Sequence, residues 1–544
     1  MLTYSKNIKL KRIDLPWLLV MLVFIWVLGT AFFHSPWEPY ELFVFAVVKG
    51  IIYNHSWLVP VVSGVPYSDI QPFYFWIYSS IIKLFNISSI EGIGKSVRII
   101  NTLIIFAVII ISARIGSNLK AYKNGRSVIL ILISSIGFIN NAYQISPNIL
   151  ILLGFCFYLY SLQLYRELPG FSSWLLFIGL ILISINFTCE FVLIAIFILL
   201  LLPIIDKKWR NKPYLFTTII GILLFTIIFY LYCYQLQQVD NEFFLQWKNR
   251  YTSLISRNNY NFWRNLVDTV SLLSWYVLPS WILVIWTIYK RRLNLFKDKI
   301  IQVNILLAIL LFIFTVISGK SIDNMIFPII LPFTFIASIE VDSIRISIVS
   351  LLNWFSLFLF GILGTIIWFI YISFNIGMPK YIIQTMFTFS QKYHFKFNIW
   401  QLILAIIITL IWLFMITRRH IRGREMVTNW ASGTTFALAL FIALMLPWFD
   451  SVLTFKPIID SSLRYINSEK CVTTAGSSTT QAALWYYYAD INLIPSFINI
   501  DYSLCNQAIV ATENSKEINK ELWRIQWQAK RPIDKKIYYI LKRK

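Results

Sequence analysis

The chain has 544 residues, 58% of them hydrophobic and 13% charged, with a formal net charge of +23 and a mean hydropathy of +0.68. A soluble domain carries roughly 25% charged residues, so a soluble fold is excluded. The basic residues gather in short loops between apolar runs, as the positive-inside rule arranges them, and no separate basic domain is present, which argues against a nucleic-acid partner.

Lys6, Lys9, Lys11 and Arg12 precede the first apolar run, 15–33. That run has about the twenty residues needed to cross ~30 Å of hydrocarbon. It lacks a small-residue cleavage site at its end, so it reads as a retained anchor rather than a signal peptide. The N-terminus, Lys120/Lys123/Arg126, Arg166, Lys207/Lys208/Arg210/Lys212, Lys290/Arg291/Arg292/Lys297, Arg345 and Arg418/Arg419/Arg422/Arg424 are taken as cytoplasmic. About thirteen transmembrane helices then follow, near 15–33, 99–116, 126–141, 148–165, 173–186, 189–205, 213–236, 266–289, 300–318, 325–341, 346–372, 399–417 and 430–448. The odd number places the N-terminus inside and the C-terminus outside. Segments 34–98, 142–147, 237–265, 319–324, 373–398 and 449–544 are left outside.

Within the first exterior segment, 42–53 and 73–85 read as amphipathic helices lying on the membrane face. Glu190, at a junction of two apolar runs, is either an ionisable group near the membrane with a function or part of a short exterior turn. Cys156, Cys189 and Cys233 fall in or near apolar helices and read as small buried hydrophobes. The chain divides into a transmembrane part, 1–448, and a tail, 449–544, where short apolar runs alternate with turn residues, the pattern of a small α/β domain. Cys471 and Cys505 lie in that tail. They are either a disulfide, which an oxidising exterior favours, or two unpaired thiols.

The first exterior segment carries Trp37-Glu38-Pro39-Tyr40-Glu41, then Trp57-Leu58-Val59-Pro60, then Gly64-Val65-Pro66-Tyr67-Ser68-Asp69-Ile70-Gln71-Pro72-Phe73-Tyr74-Phe75-Trp76. These elements resemble the first loop of bacterial polyprenyl-phosphate-dependent glycosyltransferases related to the lipid A aminoarabinose transferase and protein O-mannosyltransferases. That loop has a Pro-Asp-Glu start, a Trp-Ile-Val-Pro element and a Gly-x-x-Tyr-Phe-Glu-Lys-Pro element before an aromatic helix. The resemblance implies an all-α GT-C bundle whose exterior loops form a cavity open to the lipid, with a small exterior C-terminal domain. It also implies a bacterial inner-membrane location and transfer of a sugar from a polyprenyl-phosphate carrier to a lipid A, glycan or protein acceptor. Such a site would supply a carboxylate near the acceptor nucleophile, and cations or a divalent metal ion for the leaving phosphate.

The sequence departs from the family pattern at the carboxylates. Tyr40 stands where the first acidic residue belongs, Glu41 keeps its neighbour, and Asp69 replaces the later Glu, with Ile70 and Gln71 after it. A second family Asp, expected near 142–148, is replaced by Asn148 or Ser146. A phenol with a pKa near ~10 is a poor base at neutral pH, so the chemistry would fall to Glu38, Glu41 or Asp69.

Glu41 is expected as an acid/base or positioning carboxylate and Asp69 as a contact to a cation or sugar. The plainer alternative for each is a solvated charge or a helix cap. Glu38 is placed beside Glu41 on a helix face, as a substrate contact or a solvated neighbour, and Tyr40 between them is a further candidate substrate contact. Arg98, at the outer entrance of a helix, is either a fork for the carrier phosphate or a snorkelling headgroup contact. Lys320, in Ser318-Gly319-Lys320-Ser321, is a second phosphate candidate, with Asp323 as its alternative partner. This Gly-Lys-Ser lacks the upstream glycine and strand of a P-loop. His394 is the candidate metal ligand with Asp69, against a plain surface histidine. A non-catalytic accessory or binding subunit in envelope assembly is the alternative function. A secondary transporter is a third, but no internal repeat is present.

Overall fold

The computed structural model describes residues 17–31, 34–37, 40–68, 70–87, 89–119, 124–186, 188–255, 261–390, 395–417, 424–466, 471–475, 479–496, 505–513 and 518–544. Helices dominate because an apolar run in hydrocarbon can satisfy its backbone amides only within itself. The N-terminal part runs α1 (Trp17–Thr30), α2 (Tyr40–Asn54), a hairpin of β1 (Val61–Val62) and β2 (Val65–Pro66), α3 (Pro72–Leu84), α4 (Ile90–Leu119), α5 (Asn124–Ser134), α6 (Ile136–Ala142) and α7 (Pro147–Leu164). The middle continues with α8 (Pro169–Ile183), α9 (Glu190–Ile205), α10 (Lys212–Val239), α11 (Asn241–Tyr251), α12 (Phe262–Tyr276), α13 (Ser280–Arg291), α14 (Lys299–Ser318), α15 (Ile322–Ile326) and α16 (Ile330–Ser338). The long helices α17 (Ile346–Ile376), α19 (Ile399–Thr417) and α20 (Arg424–Leu453) flank the short α18 (Lys380–Phe389).

Local chemistry sets these boundaries. Side chains of Asn211, Asp240, Asn261 and Asp298 accept from backbone N–H groups in the first turns of α10, α11, α12 and α14, which satisfies donors a helix start leaves open. Helix α14 ends at Gly319 and α17 at Gly377, both in the left-handed region that a Cβ disfavours.

Among the described residues, seven helices are long and apolar enough to cross a membrane, or nine if each bent pair counts as one span, and four shorter apolar helices accompany them. The bent pairs differ from the straight spans that hydropathy suggests. Span 126–141 is α5 and α6, bent by 69°. At the break the Ser134 and Ser135 hydroxyls both donate back to the Ile131 carbonyl, a contact that bends helices. Span 266–289 is α12 and α13, bent by 97°, with Pro279 at the junction, where it cannot donate to the helix ladder. Helices α7 and α8 approach closely at small residues: a Cβ on Gly154 would stand 2.9 Å from the Gly179 carbonyl.

The loops at the end carrying Lys290 are tied by charge. Glu340 pairs with Arg291 at 2.7 Å and Lys290 at 3.1 Å, and Arg424 pairs with Asp342 at 2.8 Å. At the other end, α21 (Lys456–Ser462) leads into a five-stranded sheet of order β4-β3-β5-β7-β6. Its strands are β3 (Val472–Ala475), β4 (Leu493–Ser496), β5 (Gln507–Thr512), β6 (Trp523–Ala529) and β7 (Ile537–Arg543), with α22 (Thr479–Ala489) crossing between the parallel pair β3 and β4. Strand β3 also runs parallel to β5, whereas β5–β7 and β7–β6 are antiparallel. Cys471 and Cys505 are joined as a disulfide at the start of β3 and before β5.

This small domain packs on segment 34–98. Helix α2 is not a surface helix as its sequence suggests: Leu42, Val44, Val47, Val48 and Ile51 are all fully buried, because α22 packs over it. The buried Lys49 Nζ donates to the Tyr486 carbonyl at 2.7 Å and to Asp490 at 2.9 Å. Ser63 Oγ accepts from the Leu493 N–H. Arg531 stacks 3.4 Å from the Phe455 ring and donates to the Leu453 carbonyl.

Lys49→Met removes the ammonium that holds α22 to α2. The expected loss is about 1–3 kcal/mol, the cost of a buried acceptor left without its donor. Faster proteolytic cleavage of the tail, with the bundle left intact, is the readout.

Candidate functional site

Three segments meet at the end of the bundle that carries the C-terminal sheet: the turn 34–37 with the start of α2, the first turns of α4, and the last turn of α20. Their centre is an ion pair. Arg98 Nη1 donates to Glu41 Oε1 at 3.2 Å and Nη2 to Oε2 at 3.0 Å, a bidentate fork that fixes both planes. Each side chain is only 3% exposed. Glu41 also accepts from the Trp37 backbone N–H at 3.0 Å, so both its oxygens are engaged. Arg98 further donates to the carbonyls of His34 and Ser35, and the Phe45 ring lies 5.4 Å from its guanidinium carbon. Neither carboxylate oxygen of Glu41 is left without a donor.

His34 closes the cluster. Its Nδ1–H donates to the Ser35 carbonyl at 2.7 Å, and Nε2 accepts from Arg98 Nη1 at 2.9 Å, which fixes a neutral tautomer. Burial, with a further contribution from the Arg98 charge, holds the imidazole below its ordinary 6.5, against the opposite pull of Glu41. Its ring stacks on Trp37 with centroids 3.6 Å apart.

Asp450, in the last turn of α20, is the residue that sequence reasoning missed. Its Oδ1 accepts from Ser35 N–H, Ser35 Oγ and Trp37 Nε1 at 3.0, 2.5 and 2.9 Å. One signal was present. A carboxylate at a helix C-terminus is opposed by the helix dipole, so it calls for donors from another part of the chain.

Above the pair opens a cavity of about 1220 Å³, walled by α4, α21, α22 and β6. Arg98, His34 and Asp450 line it together with Lys456, Arg464 and Asp460, with Lys95 paired to Glu91 at 2.5 Å, and Tyr487, Tyr488 and Trp527 supply aromatic faces. The Tyr487 phenol is pushed up to about 12 by burial and stays neutral. On the other side of Glu41 and His34 lies a narrower cavity of about 360 Å³, lined mainly by apolar side chains of α1, α6 and α20. The ion pair is therefore the partition between a polar chamber and an apolar slot.

The other sequence candidates fall elsewhere. Lys320 pairs with the buried Glu190 and with the Ser253 carbonyl, rather than with Asp323. This ties α14 to α9 and gives Glu190 a structural partner. Asn148 donates to Asn141 Oδ1 at 2.6 Å and Asn324 Oδ1 at 3.0 Å, so a neutral amide network stands where the family pattern has an acid. Asp69, Glu38 and His394 lie outside the described residues, as does the side chain of Tyr40. Among the described residues no three His, Cys, Asp or Glu side chains come together as a metal set. Glu41 and His34 face Arg98, which does not suit them to bind a cation.

No protein-family profile matches the chain, and no curated protein matches it in sequence. Its fold is similar to that of ArnT from Cupriavidus metallidurans bound to undecaprenyl phosphate, at 11% identity and a TM-score of 0.64, covering 96% of this chain and 97% of that one. The apo form of the same protein gives 10% identity, a TM-score of 0.65 and the same coverage of 96% and 97%. The chain thus has an ArnT-like GT-C fold with a small C-terminal sheet domain, in agreement with the resemblance in its first exterior segment.

Glu41→Gln leaves Arg98 buried without its counter-charge and is expected to cost about 3–5 kcal/mol. The double variant with Arg98→Gln should lose less than the sum of the two, read from thermal unfolding in detergent. The lowered His34 pKa gives a second test. Its stabilisation is fully present above the unfolded value of ~6.5 and is lost as pH falls toward the folded value. The wild type should therefore lose stability between pH 7 and 5 more steeply than His34→Gln.

Proposed function

We propose that the chain transfers a sugar from a polyprenyl-phosphate carrier to a lipid A, glycan or protein acceptor at the outer face of a bacterial inner membrane, with its N-terminus cytoplasmic and its C-terminus periplasmic. The observation that carries this reading is the pairing of a polar chamber with an apolar slot across the Glu41–Arg98 partition. A lipid-linked sugar has the same two halves: a polar head that needs cations and aromatic faces, and a tail that needs an apolar path. The likeness in fold to ArnT, a lipid A aminoarabinose transferase, supports it.

In this reaction the acceptor hydroxyl attacks the anomeric carbon, the bond from that carbon to the phosphate oxygen breaks, and polyprenyl phosphate leaves. The hydroxyl proton passes to a base. We assign that base to Asp450, whose Oδ1 is anchored by three donors and whose carboxylate faces the chamber. Lys456 and Arg464, exposed on the chamber wall, are placed to meet the leaving phosphate. Arg98, held by Glu41 and His34, fixes the floor beneath them.

A second reading, a non-catalytic accessory or binding subunit, is favoured by the neutral network around Asn148. Release of free polyprenyl phosphate from a panel of carrier-linked sugars separates the two. Turnover by the wild type that falls about 10²- to 10⁴-fold in Asp450→Asn, at equal protein level, is the expected result. Donors left intact by the wild type across the panel and with acceptor extract would favour the accessory subunit. Unchanged turnover in Asp450→Asn would move the base elsewhere.

A further inference from the structure

Helix α12 turns from α13 by 97°, and its surface divides into three stripes at helical spacing. Thr269 and Tyr276 are buried against the bundle. Trp263, Val267 and Val270 form a second stripe, 72%, 64% and 51% exposed. Arg264, Asp268 and Ser271 form a third, exposed and polar, with Arg264 3.8 Å from Asp268. An exposed ion pair is expensive in hydrocarbon, and an exposed tryptophan–valine stripe is out of place in water.

The neighbours set the level of this helix. The 12 residues of α13 rise about 18 Å, short of the ~30 Å of hydrocarbon. The 20 residues of α14 rise about 30 Å from the same end of the bundle. At the start of α12, Asn265 donates to the Val316 carbonyl in the last turn of α14 at 3.4 Å. At its other end, the Tyr276 hydroxyl accepts from Asn141 of α6 at 2.6 Å. Helix α12 therefore descends far less than its own length.

We propose that α12 lies along the lipid–water boundary of the leaflet on the side of the C-terminal sheet, with Trp263, Val267 and Val270 among acyl chains and Arg264, Asp268 and Ser271 in water. A helix divided in this way seats in an interface rather than across it, and tryptophan is favoured at that depth. Beside it on α14, Ile309, Ile313 and Ile317 are exposed at the same spacing, so the apolar stripe extends a surface already turned to lipid. Helix α6, which Tyr276 touches, lines the apolar slot, so the anchored helix sets where the boundary meets that slot.

The test is electron paramagnetic resonance of the full-length protein in phosphatidylcholine vesicles. A nitroxide is placed at one position at a time from 263 to 271, with Cys156→Ser, Cys189→Ser and Cys233→Ser. Labels at 263, 267 and 270 are expected to relax with dissolved oxygen, and those at 264, 268 and 271 with a water-soluble nickel chelate. Depth should change by well under the about 10 Å that an upright helix covers from Trp263 to Val270. In the chain with all its cysteines, benzoylphenylalanine at 267 should crosslink to lipid and at 268 should not, so the proposal remains testable if the serine background misfolds. Oxygen-dominated relaxation on both stripes, with depth rising along the chain, overturns it by making α12 part of a crossing. Nickel access to both stripes overturns it by placing α12 in a water-filled cleft. Shielding of 263, 267 and 270 from both reagents also overturns it, by assigning the stripe to a second copy or another protein.

Discussion

The buried pair of Glu41 and Arg98 is the constraint on which the outer end of this molecule depends. Two charges that are 3% exposed are tolerated only when each is paired and its remaining hydrogen-bonding positions are filled. That requirement recruits the Trp37 amide, the His34 ring and the carbonyls of His34 and Ser35. The turn 34–37 is thereby fixed, and the same turn presents Ser35 and Trp37 to Asp450. One ion pair thus sets the positions of α2, α4 and α20 relative to one another and separates the polar chamber from the apolar slot.

The same pairing explains why a retained family carboxylate need not keep a proton-transfer role. Both oxygens of Glu41 are taken up by the Arg98 guanidinium, one of them also by the Trp37 amide, and its side chain is 3% exposed, so neither oxygen is open to an acceptor hydroxyl. Asp450 has its anchors on one oxygen and borders the chamber. Tyr40 and Asn148 are neutral where the resemblance would place acids, and Asp450 brings a carboxylate to this cluster from the far end of the chain.

Much of the architecture was legible in the sequence because membrane crossing writes a long, uniform signal. The fold class and the small C-terminal domain with its sheet both follow from apolar runs, the change of pattern after 448 and the resemblance in segment 34–98. The bends were hidden because averaging hydropathy over a span ignores what the backbone does inside it. Ser134, Ser135 and Pro279 were the local signals, and they act through hydrogen bonds rather than polarity. Asp450 was hidden for another reason. Its partner Trp37 lies 413 residues away, and no local pattern reports a contact of that range. Helix α2 was misread as superficial because its cover, α22, belongs to the tail.

Since the tail walls the chamber and covers α2, both must reach the same side of the membrane, and they do so at very different times. Lys49 is synthesised 437 residues before Tyr486, an interval of about 20–90 s at ordinary ribosomal rates. During that interval the apolar flank of α2 has no partner and the chamber has only its floor. A newly inserted chain is therefore a bundle whose chamber lacks its walls until the final segment has been made and folded. Truncating that segment removes a wall of the chamber and uncovers the apolar flank of α2, which makes the last hundred or so residues part of the folded unit rather than an appendage to it.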